Sequence, residues 1–281
     1  MGLRIQNNIE AFNAHRNLTS TANAAAKSME RLSSGYRINR AADDAAGLAI
    51  SEKMRGQIGG LDQAQRNAQD GVSLVQTGEG ALNEVHSMLQ RVRELKVQHD
   101  NQTLNTSDKA AIVGEVVALQ SEIKDIQKNT SFNGIKLLDG TGGTSGTVKL
   151  QVGANSGETI DVTASDILSG TGMSAVANMT SAAGSAAGTF GGMSLDDIDK
   201  AIGEVSDRRA SFGAVQNRLE HRLNNLATYQ ENLTASESRI RDVDMAKEMV
   251  NFSKFQILQQ AGTSMLAQAN QAPQGVLSLL R

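Results

Sequence analysis

An apolar repeat of seven residues runs through most of this chain and restricts it to long helices packed side by side. Met54, Leu61, Ala68, Val75, Leu82 and Leu89 follow one another at intervals of seven. Ile58 and Val72 fill the alternate seam position for part of the way, and Val85 and Val92 continue the stripe. Such a pattern belongs to a helix that buries one face against a partner. Asp43 and Asp44 stand where carboxylates favour a helix start. A helix from 44 to 100 would be roughly 84 Å long at 1.5 Å per residue. Residues 101–106 read as a polar turn, with Thr106 or Ser107 as the cap of the next helix. Ile112, Val116, Leu119, Ile123 and Ile126 then recur at 4-3-4-3 spacing, and the short turn makes this second helix an antiparallel neighbour of the first.

Composition agrees with seams rather than a thick layered core. Aromatic residues are 3% of the chain, tryptophan is absent, and Pro273 is the one proline in 281 residues. The core must therefore be Leu, Ile, Val, Met and Ala, and long helices can run unbroken. Without cysteine, disulfides and thiolate metal sites are excluded. A net charge of −3 gives no electrostatic case for nucleic acid. No apolar run reaches the ~20 residues of a membrane helix, so membrane insertion is not expected. The start Met1-Gly2-Leu3-Arg4-Ile5-Gln6-Asn7-Asn8 lacks the apolar core of a secretory signal, so an extracellular destination would require a route without signal cleavage.

The periodicity changes after Asn129. Phe132-Asn133-Gly134 is a turn signal. Val148, Leu150 and Val152 alternate, as do Ile160 and Val162, with the turn-like Ala154-Asn155-Ser156-Gly157 between them, which predicts a β-hairpin. In 169–192, nineteen of 24 residues are Gly, Ser, Thr or Ala, which predicts a small, flexible, weakly specified lobe outside every seam. Helix resumes with Ile198, Val205, Phe212, Leu219, Leu226 and Leu233 at intervals of seven, accompanied by Leu195, Ile202 and Leu223. Arg209, Gln216 and Gln230 take the other companion positions, as expected of a seam with solvent on one side. The bundle core is predicted at Leu82, Leu89, Ile112, Leu119, Ile126, Phe212, Leu219 and Leu226.

The two ends stand apart. Ile5, Ile9 and Phe12 mark an apolar face that stops at Ser33-Ser34-Gly35, and Val243, Val250 and Ile257 mark another beyond a break near Thr234-Ala235-Ser236. Met249, Phe252 and Phe255 widen the second face. Each end is an amphipathic helix with nothing adjacent in sequence to cover it. Both are expected to stay disordered until they pair with each other and with neighbouring subunits. The fold class is mainly α: an elongated antiparallel bundle with a small β-hairpin, a short outer lobe and paired terminal helices.

No constellation suggests catalysis. His15, His86, His99 and His221 have no metal-ligand spacing and read as solvated helix positions. Glu79, Glu84, Glu94 and Asp100 read as surface charge. Gly140-Thr141-Gly142-Gly143 lacks the lysine and helix start of a phosphate loop. The chain is expected to be no enzyme and to need no cofactor.

Two longer stretches are more specific. Leu32-Ser33-Ser34-Gly35-Tyr36-Arg37-Ile38-Asn39-Arg40, followed by Asp43-Asp44-Ala45-Ala46-Gly47-Leu48-Ala49-Ile50, is very similar to the N-terminal signature of bacterial flagellins. Ser238-Arg239-Ile240-Arg241-Asp242-Val243-Asp244-Met245-Ala246-Lys247-Glu248 resembles the C-terminal one, as does Met265-Leu266-Ala267-Gln268-Ala269-Asn270-Gln271 with Pro273-Gln274-Gly275-Val276-Leu277. Tyr36 departs from the leucine usual at that position. The resemblance implies a self-polymerising subunit of the flagellar filament. Residues 1–43 and 236–281 would form its inner tube, 44–140 and 193–235 its outer tube, and 141–192 a hairpin and outward lobe. It further implies export through the flagellar type III apparatus, an extracellular location, and as partners other copies of the chain, an export chaperone, and the cap and hook–filament junction proteins.

Gln90-Arg91-Val92-Arg93-Glu94-Leu95 resembles the segment by which many flagellins engage the animal Toll-like receptor for flagellin, and the matched positions are Arg91, Leu95 and Glu115. Arg91 and Leu95 are one turn apart. Arg91 lies nine residues before Asp100 and Glu115 eight after Ser107, so an antiparallel turn sets them level. The plainer account of these residues is packing between subunits. The rival class is an intracellular antiparallel coiled-coil signalling domain such as that of a chemoreceptor, which would share the heptads but needs neither hairpin, lobe nor apolar ends.

Overall fold

The computed structural model describes residues 8–144, 146–178 and 190–279, with side chains to Gln271. Ile5 lies outside the described residues. Helices α1 (Ile9–Ser34), α2 (Ala45–His99) and α3 (Thr106–Asn129) are followed by strands β1 (Ser131–Phe132), β2 (Ile135–Lys136), β3 (Thr147–Gln151) and β4 (Thr159–Thr163). A 3-10 turn (Ile167–Ser169), α4 (Thr171–Asn178), α5 (Leu195–Arg241) and α6 (Met245–Leu279) complete the chain. The mainly-α class is as expected. Two compact units result, one of residues 57–231 and one of 1–56 with 232–281.

In the first unit, α2, α3 and α5 share one apolar core with the hairpins and α4. Leu61, Ala68, Val75, Leu82 and Leu89 are all at most 1% exposed, so the repeat of seven faces inward along α2. From α5, Ile198, Val205, Phe212, Leu219 and Leu226 meet it. Cross-links between the helices fix their direction. Arg93 donates to Asp199, Arg209 stands 3.8 Å from Glu79, and Gln65 donates to Gln230. As numbering falls along α2 it rises along α5, so the two are antiparallel. Arg209 and Gln230 therefore do not simply face solvent. They form polar contacts across the seam.

Several local expectations are corrected. Asn105, not Thr106 or Ser107, caps α3, its side chain accepting from the Asp108 amide at 2.8 Å. The inward stripe of α3 is Ile112, Val116, Gln120, Ile123 and Gln127. Leu119 and Ile126 only pack against its margin, because α-helical spacing drifts from the strict alternation assumed for them. Asn133 and Gly134 both have positive φ, 48° and 79°, and link β1 to β2 as the two-residue turn of a second hairpin. In the predicted hairpin, Val148 pairs with Val162 and Leu150 with Ile160, with the turn where expected.

The stretch read as a loose lobe is anchored at both sides. Gly172, Met173 and Val176 of α4 are buried, and Glu204 caps that helix by accepting from the amides of Gly172 and Met173. Phe190 and Met193 return into the same core. Phe190 sits edge-on to His99 at 5.2 Å and 5.5 Å from the Lys96 ammonium. Lys96 is itself 2% exposed and bonded to Asp100 at 2.6 Å. Small residues conceal such anchors because Gly and Ala carry no hydrophobic pattern of their own. Residues 179–189 fall outside the description.

Candidate assembly and recognition surfaces

In the second unit, α1 and α6 lie against each other. Asn8 caps α1 by accepting from the Ala11 amide and also donates to the Ala269 carbonyl, while Ser28 donates to Glu248 at 2.5 Å. The helices are therefore antiparallel. The α1 face carries Ala11, Ala14, Leu18, Ala22 and Ala25, and the α6 face carries Phe252, Phe255, Gly262, Leu266 and Ala269. Small residues allow close approach: a Cβ placed on Gly262 would stand 3.1 Å from Leu18 Cδ1.

The two signature stretches meet beside this seam. Tyr36 and Asp242 form an antiparallel bridge, with Arg37 N donating to the Arg241 carbonyl at 2.7 Å and Val243 N to the Gly35 carbonyl at 3.0 Å. Gly35 adopts the left-handed conformation (φ 76°) that ends α1. The break between the last two helices thus falls at 242–244, not near Thr234-Ala235-Ser236. Continuous helix through the Ala/Ser stretch is favourable, and Asp244 caps α6 by accepting from the Lys247 amide. Tyr36 has a specific role, since the Arg241 guanidinium lies 4.9 Å from its ring and bonds Glu52 at 2.6 Å. The Lys27 ammonium, 2.5 Å away, holds the Asp43 carboxyl at about 2, helped by the amides of Arg40 and Asn39 against the opposing effect of burial. Asp44 starts α2 through the Gly47 amide.

The apolar residues predicted for self-assembly lie on the outside of this pair. Ile9 is 55% exposed, Phe12 72%, Val250 69% and Ile257 66%. Val243 is half-buried in the link between helices rather than in α6. Met249 and Met265 extend the outward surface. Val250 and Ile257 stay outside although they follow the repeat of seven, because α6 is apolar on more than one side. The seam itself is marked by Glu248, Phe252 and Phe255.

On α2 and α3, Arg91 Nε donates to Glu115 at 2.9 Å and Nη1 to Glu94 at 3.1 Å. Glu115, then Glu94, raise the Arg91 pKa. Both Arg91 and Glu115 are about half exposed, so the antiparallel turn does set them level on the surface. Leu95 is 1% exposed and belongs to the core, so it is no exposed anchor beside them. A helix residue four after Arg91 shares its broad face, but this one lies on the buried edge. Glu94 remains outside. At the α2 end, burial pushes the Asp100 carboxyl up, but hydrogen bonds from Lys96 and His99 outweigh it and keep it below its ordinary value.

Among the described residues no group of three His, Asp or Glu could hold a metal, and no helix is long and apolar enough to cross a membrane.

Comparison with known proteins gives the same picture. The bacterial flagellin N-terminal helical region matches residues 5–143, and the bacterial flagellin C-terminal helical region matches 195–280. A flagellin of Halalkalibacterium halodurans is 55% identical over 277 residues, covering 99% of each chain. A flagellin of Bacillus subtilis is 52% identical, covering 99% of this chain and all of the other. A flagellar filament 33 kDa core protein of Treponema phagedenis is 45% identical over 99% of both chains. Nothing in these matches supports the signalling-domain alternative. With both signature regions matched, the terminal helices paired and relatives aligned end to end, the chain belongs to the bacterial flagellins, the structural subunits of flagellar filaments.

Proposed function

We propose that this flagellin polymerises through its paired terminal helices into an extracellular filament that serves swimming motility. The observation that carries this reading is the second apolar face. Helices α1 and α6 already cover one another, yet Phe12, Val250 and Ile257 remain more than 60% exposed. Apolar area of that size on paired helices calls for further cover, and other copies of the chain supply it in a filament. In this reading residues 1–43 and 236–281 line an inner tube. Residues 44–140 and 193–235 form the outer one, and 141–192 face outward. An export chaperone would shield the terminal helices before assembly, and the cap and hook–filament junction proteins would meet them afterwards. Export would proceed through the type III apparatus without signal cleavage. The test is removal of α1 or of α6 from the purified chain, with electron microscopy for filaments and circular dichroism for the remaining helices. Loss of filaments with a cooperative helical melt is expected, and normal filaments from either truncation would refute the reading.

The Arg91–Glu115 pair favours a second use of the surface, recognition of the monomer by the animal Toll-like receptor for flagellin. Arg91 presents a planar fork of donors, and its partner Glu115 holds it in place from the neighbouring helix. Arg91→Ala and Glu115→Ala should each lower the potency of heat-dissociated protein in a receptor reporter assay, Arg91→Ala by roughly tenfold or more. Equal potency of wild type and both variants would remove the site. Leu95 would act only by holding the backbone beneath them.

A further inference from the structure

We infer that Met29, Met245 and Met249 form one oxidation site, at which a peroxide converts the free subunit into a form that does not polymerise. The inference rests on the proposed assembly through α1 and α6 and adds a means of regulating it. Among the described residues four methionines are exposed, Met29, Met245, Met249 and Met265, and all belong to the unit of the terminal helices. In the 57–231 unit Met173 and Met193 are buried and Met88 is half-buried. Exposed methionine is thus concentrated on the helices that remain apolar on the outside.

Helix geometry brings three of the four together. Ser28 donates to Glu248 at 2.5 Å, so these two residues face each other across the α1–α6 seam. Met29 and Met249 each follow them by one residue, a rotation of roughly 100° about the helix axis. Because the helices are antiparallel, equal rotations from facing residues end on the same side of the pair. Met245, three residues before Glu248, lies roughly 60° round in that same direction. All three are about half exposed. Met265 lies on the other side, where it lines a groove with Asn13, Asn17 and Leu258. The seam itself is closed by Ala25, Phe252, Phe255 and Leu266, and among the described residues it holds no methionine. Oxidation of the three therefore leaves the helix pair intact and changes only its outer surface.

Each thioether sulfur attacks one oxygen of the peroxide. The S–O bond forms, the O–O bond breaks, and the hydroxide released takes the proton from the transferred oxygen and leaves as water. Sulfur loses two electrons and the peroxide gains them. The sulfoxide is polar, and covering it with a neighbouring subunit is unfavourable where no hydrogen-bond donor meets it. The test applies hydrogen peroxide to the full-length monomer, locates sulfoxides by peptide mass spectrometry, and measures by light scattering the lowest concentration that supports filament growth. Met29, Met245 and Met249 should be oxidised well before Met173 and Met193, and the critical concentration should rise about tenfold or more at unchanged helix content. A chain carrying Met29→Leu, Met245→Leu and Met249→Leu should polymerise normally and lose most of its sensitivity to peroxide, although it keeps Met265. Met29→Gln with Met245→Gln and Met249→Gln should raise the critical concentration without any peroxide. In preformed filaments the three methionines should be oxidised more slowly than in the monomer. Full sensitivity of the leucine chain, normal growth of the glutamine chain, loss of helix on oxidation, or equal oxidation rates in filament and monomer would each overturn the inference. Peroxide-insensitive growth of the wild-type chain, where filaments still require α1 and α6, would overturn it and leave the assembly reading standing.

Discussion

Phe212 should set the sign of the effect of Gly78→Ala on stability. Gly78 lies within α2 and is buried, and a Cβ added there would stand 2.8 Å from Cε2 and 3.3 Å from Cζ of the Phe212 ring. Phe212 is 5% exposed and confined by the core, so its ring has little room to withdraw. In the wild-type background Gly78→Ala gains about 1 kcal/mol of helix propensity and loses about 1–3 kcal/mol to overpacking. The net is a loss of about 0–2 kcal/mol. Phe212→Ala alone should cost about 3–5 kcal/mol. In that background the clash is gone. Gly78→Ala then keeps its propensity gain of about 1 kcal/mol and adds about 0.8 kcal/mol for a buried methyl group. The second substitution should therefore stabilise the first variant by about 1.5–2 kcal/mol, and the coupling between the sites should be about 2–4 kcal/mol. Urea unfolding of the four monomeric chains, followed by far-ultraviolet circular dichroism, completes the cycle. If Gly78→Ala has the same effect in both backgrounds, with coupling below about 0.5 kcal/mol, the contact does not limit the packing of α2 on α5.

Three further outcomes can be checked directly. Met173→Ala should lower the stability of the 57–231 unit by about 2–5 kcal/mol in the same unfolding assay, because Met173 is fully buried; a loose lobe would give no change. Asp43 should titrate at about 2 by NMR, and Lys27→Ala should move the midpoint up towards 3.8. Since the folded value is depressed, the stabilisation from this contact is complete above pH 3.8 and is lost as pH falls towards about 2. Leu226→Asp should cost on the order of 3 kcal/mol or more by placing an unpaired charge in the seam, and a wild-type melting temperature would show that Leu226 is not an inward position.

The long seams were readable because repetition averages out local ambiguity. Six positions at intervals of seven in α2, and five buried ones in α5, define a face whatever the fate of any one residue. The β3–β4 hairpin was readable for the same reason, through alternation on both sides of a turn. Single positions at the edge of a face were harder. Leu95 and Leu119 were placed about one position from their actual role, because 3.6 residues per turn moves a stripe steadily around the helix. The terminal pairing was foreseeable from two uncovered helices, but not the face used by α6, since aliphatic side chains occupy several of its sides. The anchors of α4 and Phe190 were hidden in a stretch of Gly, Ala, Ser and Thr, where burial depends on a few isolated large residues. Arg91 and Glu115 were placed level by counting across a turn, which needs only that the helices be antiparallel.

The clamp around Phe190 has a practical consequence for protein engineering. Val176 on one side and Phe190 on the other are each 1% exposed and belong to the same core. A guest sequence grafted between them would start and finish on fixed points that its own conformation does not have to create. The closure cost of a flexible guest grows by only about 0.6 kcal/mol for each doubling of its length. With 141–192 facing outward as proposed, epitopes or small folded modules could be displayed there at filament density, provided that Met173, Val176, Phe190 and the Lys96 contact beneath the ring are left untouched.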